Sequence, residues 1–193
     1  MDRNQDIENI KSVNIRSIDI KRRLLMSSST VLVFETFLRE NIRNEVLVVN
    51  TNIGMEVYYF SENDYSFFIK ESILLYTLTQ INRDKLKFRN NLTREEVYQS
   101  FCEALITFSH YPQIFLAYTK KFIHIQKQHR SSRFLIPALN GFFEEVFKEL
   151  DKTGKIPHYE KIKRVKNKRH KPNKSEIAIK KLISEVLLKK HSN

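Results

Sequence analysis

Three glycines, Gly54, Gly141 and Gly154, are all that 193 residues contain, and proline occurs only four times. Glycine is the residue that takes left-handed and tight-turn conformations without a steric penalty, so phosphate-cradling loops and many-turned β folds depend on it. Few breakers therefore point to long helices. With 41% hydrophobic residues, 14 Phe and 8 Tyr among them, the chain can bury a real core. The expectation is a mainly-α protein, a bundle of about six to eight helices.

Charge is distributed unevenly. Of 34 Lys and Arg and 22 Asp and Glu, residues 151–193 hold 14 and 4. The preceding 150 residues are close to neutral. Eight cations, Lys161, Lys163, Arg164, Lys166, Lys168, Arg169, Lys171 and Lys174, fall within fourteen positions without one acid. Like charges this dense repel unless water or a polyanion faces them. Tyr159 is the one aromatic beside them, so the segment suits phosphate contact better than base stacking. A second basic group, Arg83, Lys85, Lys87 and Arg89, sits in what reads as a polar connector.

Along the chain, residues 7–20 show no clean period. Lys21 to Asn44 reads as helical with an interruption at Ser27–Thr30, after which Val31, Phe34, Leu38 and Ile42 share a face. Residues 45–60 carry two β-branched or aromatic runs around Asn50–Gly54 and read locally as a hairpin. A helix capped by Ser61 or Asn63 is expected through Ile81. Thr93 with Glu96 forms a capping box, and Pro112 suits the first position of the next helix. A further helix begins at Ser132 or Pro137 and stops at Gly154, and a final amphipathic one begins near Asn173 or Ser175. Three segments follow: 1–92, 93–154 and a basic 155–193.

No catalytic constellation is legible, and the chain is read as a non-enzyme without cofactor or metal. Cys102 is the single cysteine, so neither an intrachain disulfide nor a Cys-rich zinc site can form. The six histidines include no pair four apart; His124 and His129 are five apart. Glu95–Glu96 and Glu144–Glu145 are adjacent on helices, where neighbours diverge by about 100°. The Met1 end has no apolar leader and no run is long enough for a membrane span. That predicts a cytoplasmic protein, or a nuclear one in a eukaryotic or viral source, with Lys168–Lys171 as the import address.

Several features resemble the TetR family of transcriptional regulators. Met26, Ser29-Thr30 and Val31-Leu32-Val33-Phe34 look like that family's first helix. Leu47 and Ile53 match apolar positions of its second helix and turn, and Val57-Tyr58-Tyr59-Phe60 its aromatic landmark. His110-Tyr111-Pro112-Gln113-Ile114 and Gly154-Lys155-Ile156 resemble parts of its regulatory domain. The sequence departs from the family at Leu38, Thr51-Asn52 and Asn63, and it is two residues short before the landmark. The resemblance implies a DNA-reading helix-turn-helix within residues 45–60, the stretch that otherwise reads as a hairpin. It also implies an all-α domain for ligand binding and for homodimerisation through C-terminal helices.

Two functions are expected from this. One is a nucleic-acid-binding, TetR-like regulator of transcription that grips phosphates with residues 161–174 and the 83–89 group. The other is a non-enzymatic helical adaptor or accessory protein that binds a protein partner and carries a basic tail. Four alanines against abundant Ile, Lys and Asn suggest an AT-rich source, such as a virus or mobile element.

Overall fold

A computed structural model describes residues 6–18, 24–77 and 83–167. A 3-10 turn (Asp6–Asn9) leads into β1 (Ile10–Ser17), α1 (Ser28–Ile42), β2 (Val46–Thr51), β3 (Gly54–Phe60) and α2 (Ser66–Ile73). After a second turn (Arg83–Lys85) come β4 (Leu86–Asn91), α3 (Arg94–Ser109), α4 (Pro112–Gln128), α5 (Leu135–Lys152) and α6 (Tyr159–Asn167). The four strands form one sheet in the order β2-β3-β1-β4, antiparallel at every pairing. Element order and strand order together are those of the split β-α-β plan of ferredoxin-like folds.

The expected mainly-α bundle, and with it the description all-α, is therefore wrong: this is a mixed α/β protein. Glycine scarcity misled because the plan needs so few tight turns. Helices carry the chain from β1 to β2 and from β3 to β4, leaving one short hairpin, Asn52–Ile53, between β2 and β3. That hairpin uses Gly54, whose φ is 150° and where a Cβ would lie 2.7 Å from the Ile15 carbonyl oxygen. Residues 45–60 are thus the hairpin and hold no helix-turn-helix. Val46 pairs with Tyr59 and Val48 with Val57, and Tyr58 and Tyr59 are buried.

Two more stretches differ from the sequence reading. Residues 7–20 contain β1, a central strand, and the 83–91 connector contains β4 at the sheet edge. Each has only a short apolar face, Val13 and Ile15 on β1 and Leu86 and Phe88 on β4. On β1, Ser12 and Asn14 point to the same side as Ile10, and their side chains bond Asn91 and Ser100 at 2.8 Å each. On β4, Lys87 and Arg89 stay exposed, as suits an edge that should not pair with another chain. The helix expected through Ile81 is shorter: α2 ends at Ile73, and 78–82 lie outside the described residues. So does the expected final helix.

Both sheet faces are covered. Val13, Ile15, Val48, Val57 and Tyr59 face α1 and α2, joining Phe34, Leu38 and Ile69. Ile10, Leu47, Val49, Tyr58 and Phe60 face the second layer, α3 to α5, with its Phe101, Phe122 and Phe143. Two caps of that layer match expectation, since Thr93 and Glu96 form the reciprocal box on α3 and Pro112 opens α4, while α5 begins at Leu135, between the expected Ser132 and Pro137. The interruption at Ser27–Thr30 is the start of α1, with Ser27 accepting from the Thr30 N–H.

Two glutamates fasten β2 to the helices. Glu35 of α1 is buried; it accepts from the Val48 N–H at 3.0 Å and from Arg39 at 2.7 Å, with His129 Nε2 at 3.6 Å. Glu45, just before β2, caps α5. It accepts from Ser132 Oγ and from the N–H groups of Arg133, Phe134 and Leu135. Burial alone would raise its pKa, but these donors outweigh it and hold the carboxyl below its ordinary value. Replacing Glu45 with alanine should lower the unfolding free energy by about 1–2 kcal/mol at neutral pH. A depressed carboxyl pKa stabilises above the unfolded value and loses that contribution as pH falls through the folded one. The gap between wild type and E45A in urea titrations should therefore close on acidification below about pH 4.

Candidate nucleic-acid interface

The basic C-terminal stretch begins on a docked helix. α6 turns Ile162 fully inward and Val165 partly so, a spacing of three that lays one stripe on α4. Lys127 of α4 donates to the Val165 carbonyl at 2.7 Å. Lys166 is structural as well as charged. It pairs with Glu144 of α5 at 2.8 Å, and its Nζ lies 4.6 Å and 5.2 Å from the ring centres of Phe147 and Phe143. Lys161, Lys163 and Arg164 are the members left pointing to solvent. Beside them α4 contains no acidic residue and exposes Lys120 and His124. Glu160 is the one acid on the two helices, and Lys168, Arg169, Lys171 and Lys174 lie outside the described residues.

The second basic group takes a different position. Arg83 and Lys85 bound a 3-10 turn, whereas Lys87 and Arg89 project from β4 toward the α3 side of the sheet. Register sets Lys87 opposite Arg16 and Arg89 opposite Asn14 on β1. These residues, with Ser100, Thr107 and Tyr111, line a groove of about 670 Å³ that α3 leaves open at this corner. Arg89 is committed to Glu103 at 3.1 Å. Sequence reasoning missed Arg16 and Asn14 because Lys11 and Ser12 cut the apolar alternation of β1 down to Val13 and Ile15. The odd-numbered run Lys85, Lys87, Arg89 was the available signal, since a period of two marks one strand face.

Next to the groove lies a buried polar cluster that the sequence did not reveal. Glu56 of β3 accepts from Tyr118 at 2.7 Å and from Tyr58 at 3.1 Å. Burial raises its pKa, opposed by the two hydroxyls and by the positive charge of Arg16. Both tyrosines are pushed well above their ordinary value, first by burial and then by Glu56. Both phenols therefore stay protonated near neutrality, and the Cys102 thiol, raised to about 11 by burial, is not a thiolate. The cluster can hold a carboxylate and orient two rings. Among the described residues no group of three His, Cys, Asp or Glu could hold a metal ion, and no helix is long and apolar enough to cross a membrane.

A raised carboxyl pKa stabilises fully below the unfolded value and loses that contribution as pH rises through the folded one. Glu56→Gln keeps an acceptor for both tyrosines and removes the ionisation. It should gain stability relative to wild type between acid and neutral pH, the opposite trend to E45A. Paired urea titrations at both pH values check this, and a gap that does not change with pH would contradict it. No protein-family model matches the chain, and no curated protein is significantly similar to it.

Proposed function

We propose that the protein binds nucleic acid through the phosphate backbone, with α6 and the basic run that follows it as the main contact. The observation that carries this is the anchoring of α6. Ile162, Val165 and the Lys166–Glu144 pair hold the helix to the body, so Lys161, Lys163 and Arg164 project from a fixed element beside an acid-free α4. A segment serving only solubility has no need of such docking. Fixed cations lose little conformational entropy when they meet phosphates, and each neutralised phosphate releases counterions.

This mode does not read base edges. The TetR-like helix-turn-helix has no counterpart in residues 45–60, so the reading keeps a nucleic-acid-binding regulator and drops that recognition helix. The aromatics of β3 are no stacking platform either, because Tyr58 is 2% exposed and Phe60 stacks on Phe134 at 4.1 Å. The function is binding, without a chemical step.

The test is filter binding of random-sequence DNA and RNA across a salt series. Wild type should bind with an affinity that falls steeply with salt. Lys161→Ala, Lys163→Ala and Arg164→Ala combined should weaken it and make the log–log salt slope shallower by about 2–3. Retention that is absent at low salt, or a slope unchanged in the triple variant, would remove α6 from the mechanism.

A further inference from the structure

The groove at the β1/β4 corner has features that backbone binding does not use. Arg16 and Lys87 stand opposite each other on paired strands and are exposed. Neither has an ion-pair partner among the described residues, unlike Arg89, which Glu103 holds. Two cations without an ion pair at one register position make a site for an anion with more than one oxygen. Glu103 is the one carboxylate in the groove lining, and Glu56 lies further in, where it feels Arg16.

Two neutral features narrow the anion's identity. Asn14 donates through Nδ2 to Ser100 Oγ, but its Oδ1 is buried without any hydrogen-bond partner. An orphaned buried acceptor is costly, and a ligand donor such as a sugar hydroxyl or a base N–H would satisfy it. Tyr111, 57% exposed, lines the same groove and offers a flat ring. A volume of about 670 Å³ admits a ligand larger than an inorganic anion. α4 begins here too, its first turn uncapped by any side chain, which adds a positive field to the same corner.

We propose that this groove binds a phosphorylated nucleoside, either free or at the end of a nucleic-acid strand. Arg16 and Lys87 hold the phosphate, Asn14 Oδ1 takes a donor from the sugar or base, and Tyr111 stacks on the base. The site shares no residue with α6, so it stands or falls separately from the backbone-binding reading.

Calorimetric titration of the full chain tests it. The panel is the four ribonucleoside monophosphates, the matching nucleosides, inorganic phosphate, and a short oligonucleotide with and without a 5′-phosphate. At least one monophosphate, or the 5′-phosphorylated strand, should bind about tenfold or more tightly than its unphosphorylated counterpart. Which of the two does so identifies the source of the phosphate. Arg16→Ala and Lys87→Ala, both at exposed positions, should each weaken that binding by about tenfold. Asn14→Ala should weaken nucleotide but leave inorganic phosphate unchanged, and the α6 triple variant should leave nucleotide binding intact. Thermal melts of Arg16→Ala and Lys87→Ala confirm that a loss is not unfolding. No preference for the phosphorylated forms, or the same affinity in both variants, overturns the proposal. Inorganic phosphate binding as tightly as the best nucleotide overturns the nucleoside assignment.

Discussion

Burial of one antiparallel sheet on both faces is the constraint on which the other features rest. Antiparallel sheets commonly leave one face to water, and their strands then alternate apolar with polar residues. Here α1 and α2 cover one face and α3 to α5 the other, so polar side chains on the second face must find partners inside the protein. Ser12 takes Asn91, Asn14 takes Ser100, and Glu56 takes two tyrosines. An unmet buried polar group costs about 1–3 kcal/mol, which is why this row is paired almost completely. Asn14, whose Oδ1 is the exception in the row, lines the groove that opens where the helical cover ends.

The same arrangement explains two carboxylates with opposite behaviour. Glu45 meets three backbone N–H groups and a hydroxyl at the start of a helix, where negative charge is welcome. Glu56 meets two phenols inside the sheet–helix interface, where desolvation dominates. One is held ionised as a clasp between β2 and α5; the other is eased toward its neutral form. Position in the fold, and not residue type, separates them.

Legibility in the sequence followed how local each signal is. Val31, Phe34, Leu38 and Ile42, the Thr93–Glu96 box and Pro112 were all readable, because caps and helical stripes depend on residues a few positions apart. The hairpin was readable as one of two alternatives. β1 and β4 were not, since their stabilising partners are about 80 residues apart in sequence and many of their contacts are polar. The site divides in the same way. The 161–174 charge run stands out in the chain, whereas Arg16 and Asn14 become meaningful only opposite Lys87 and Arg89.

The sequence by itself determined the starts of α3 and α4, the stop of α5 at Gly154, and that positive charge concentrates after residue 150. Those properties arise from nearest-neighbour chemistry and composition. Tertiary structure alone decided that the protein is α/β and that residues 45–60 lie inside a sheet. It also decided that Lys166 is an anchor while Lys161, Lys163 and Arg164 face outward. The physical reason is that strand pairing and helix docking are contacts between segments far apart in sequence. Glycine count and charge count are blind to such contacts.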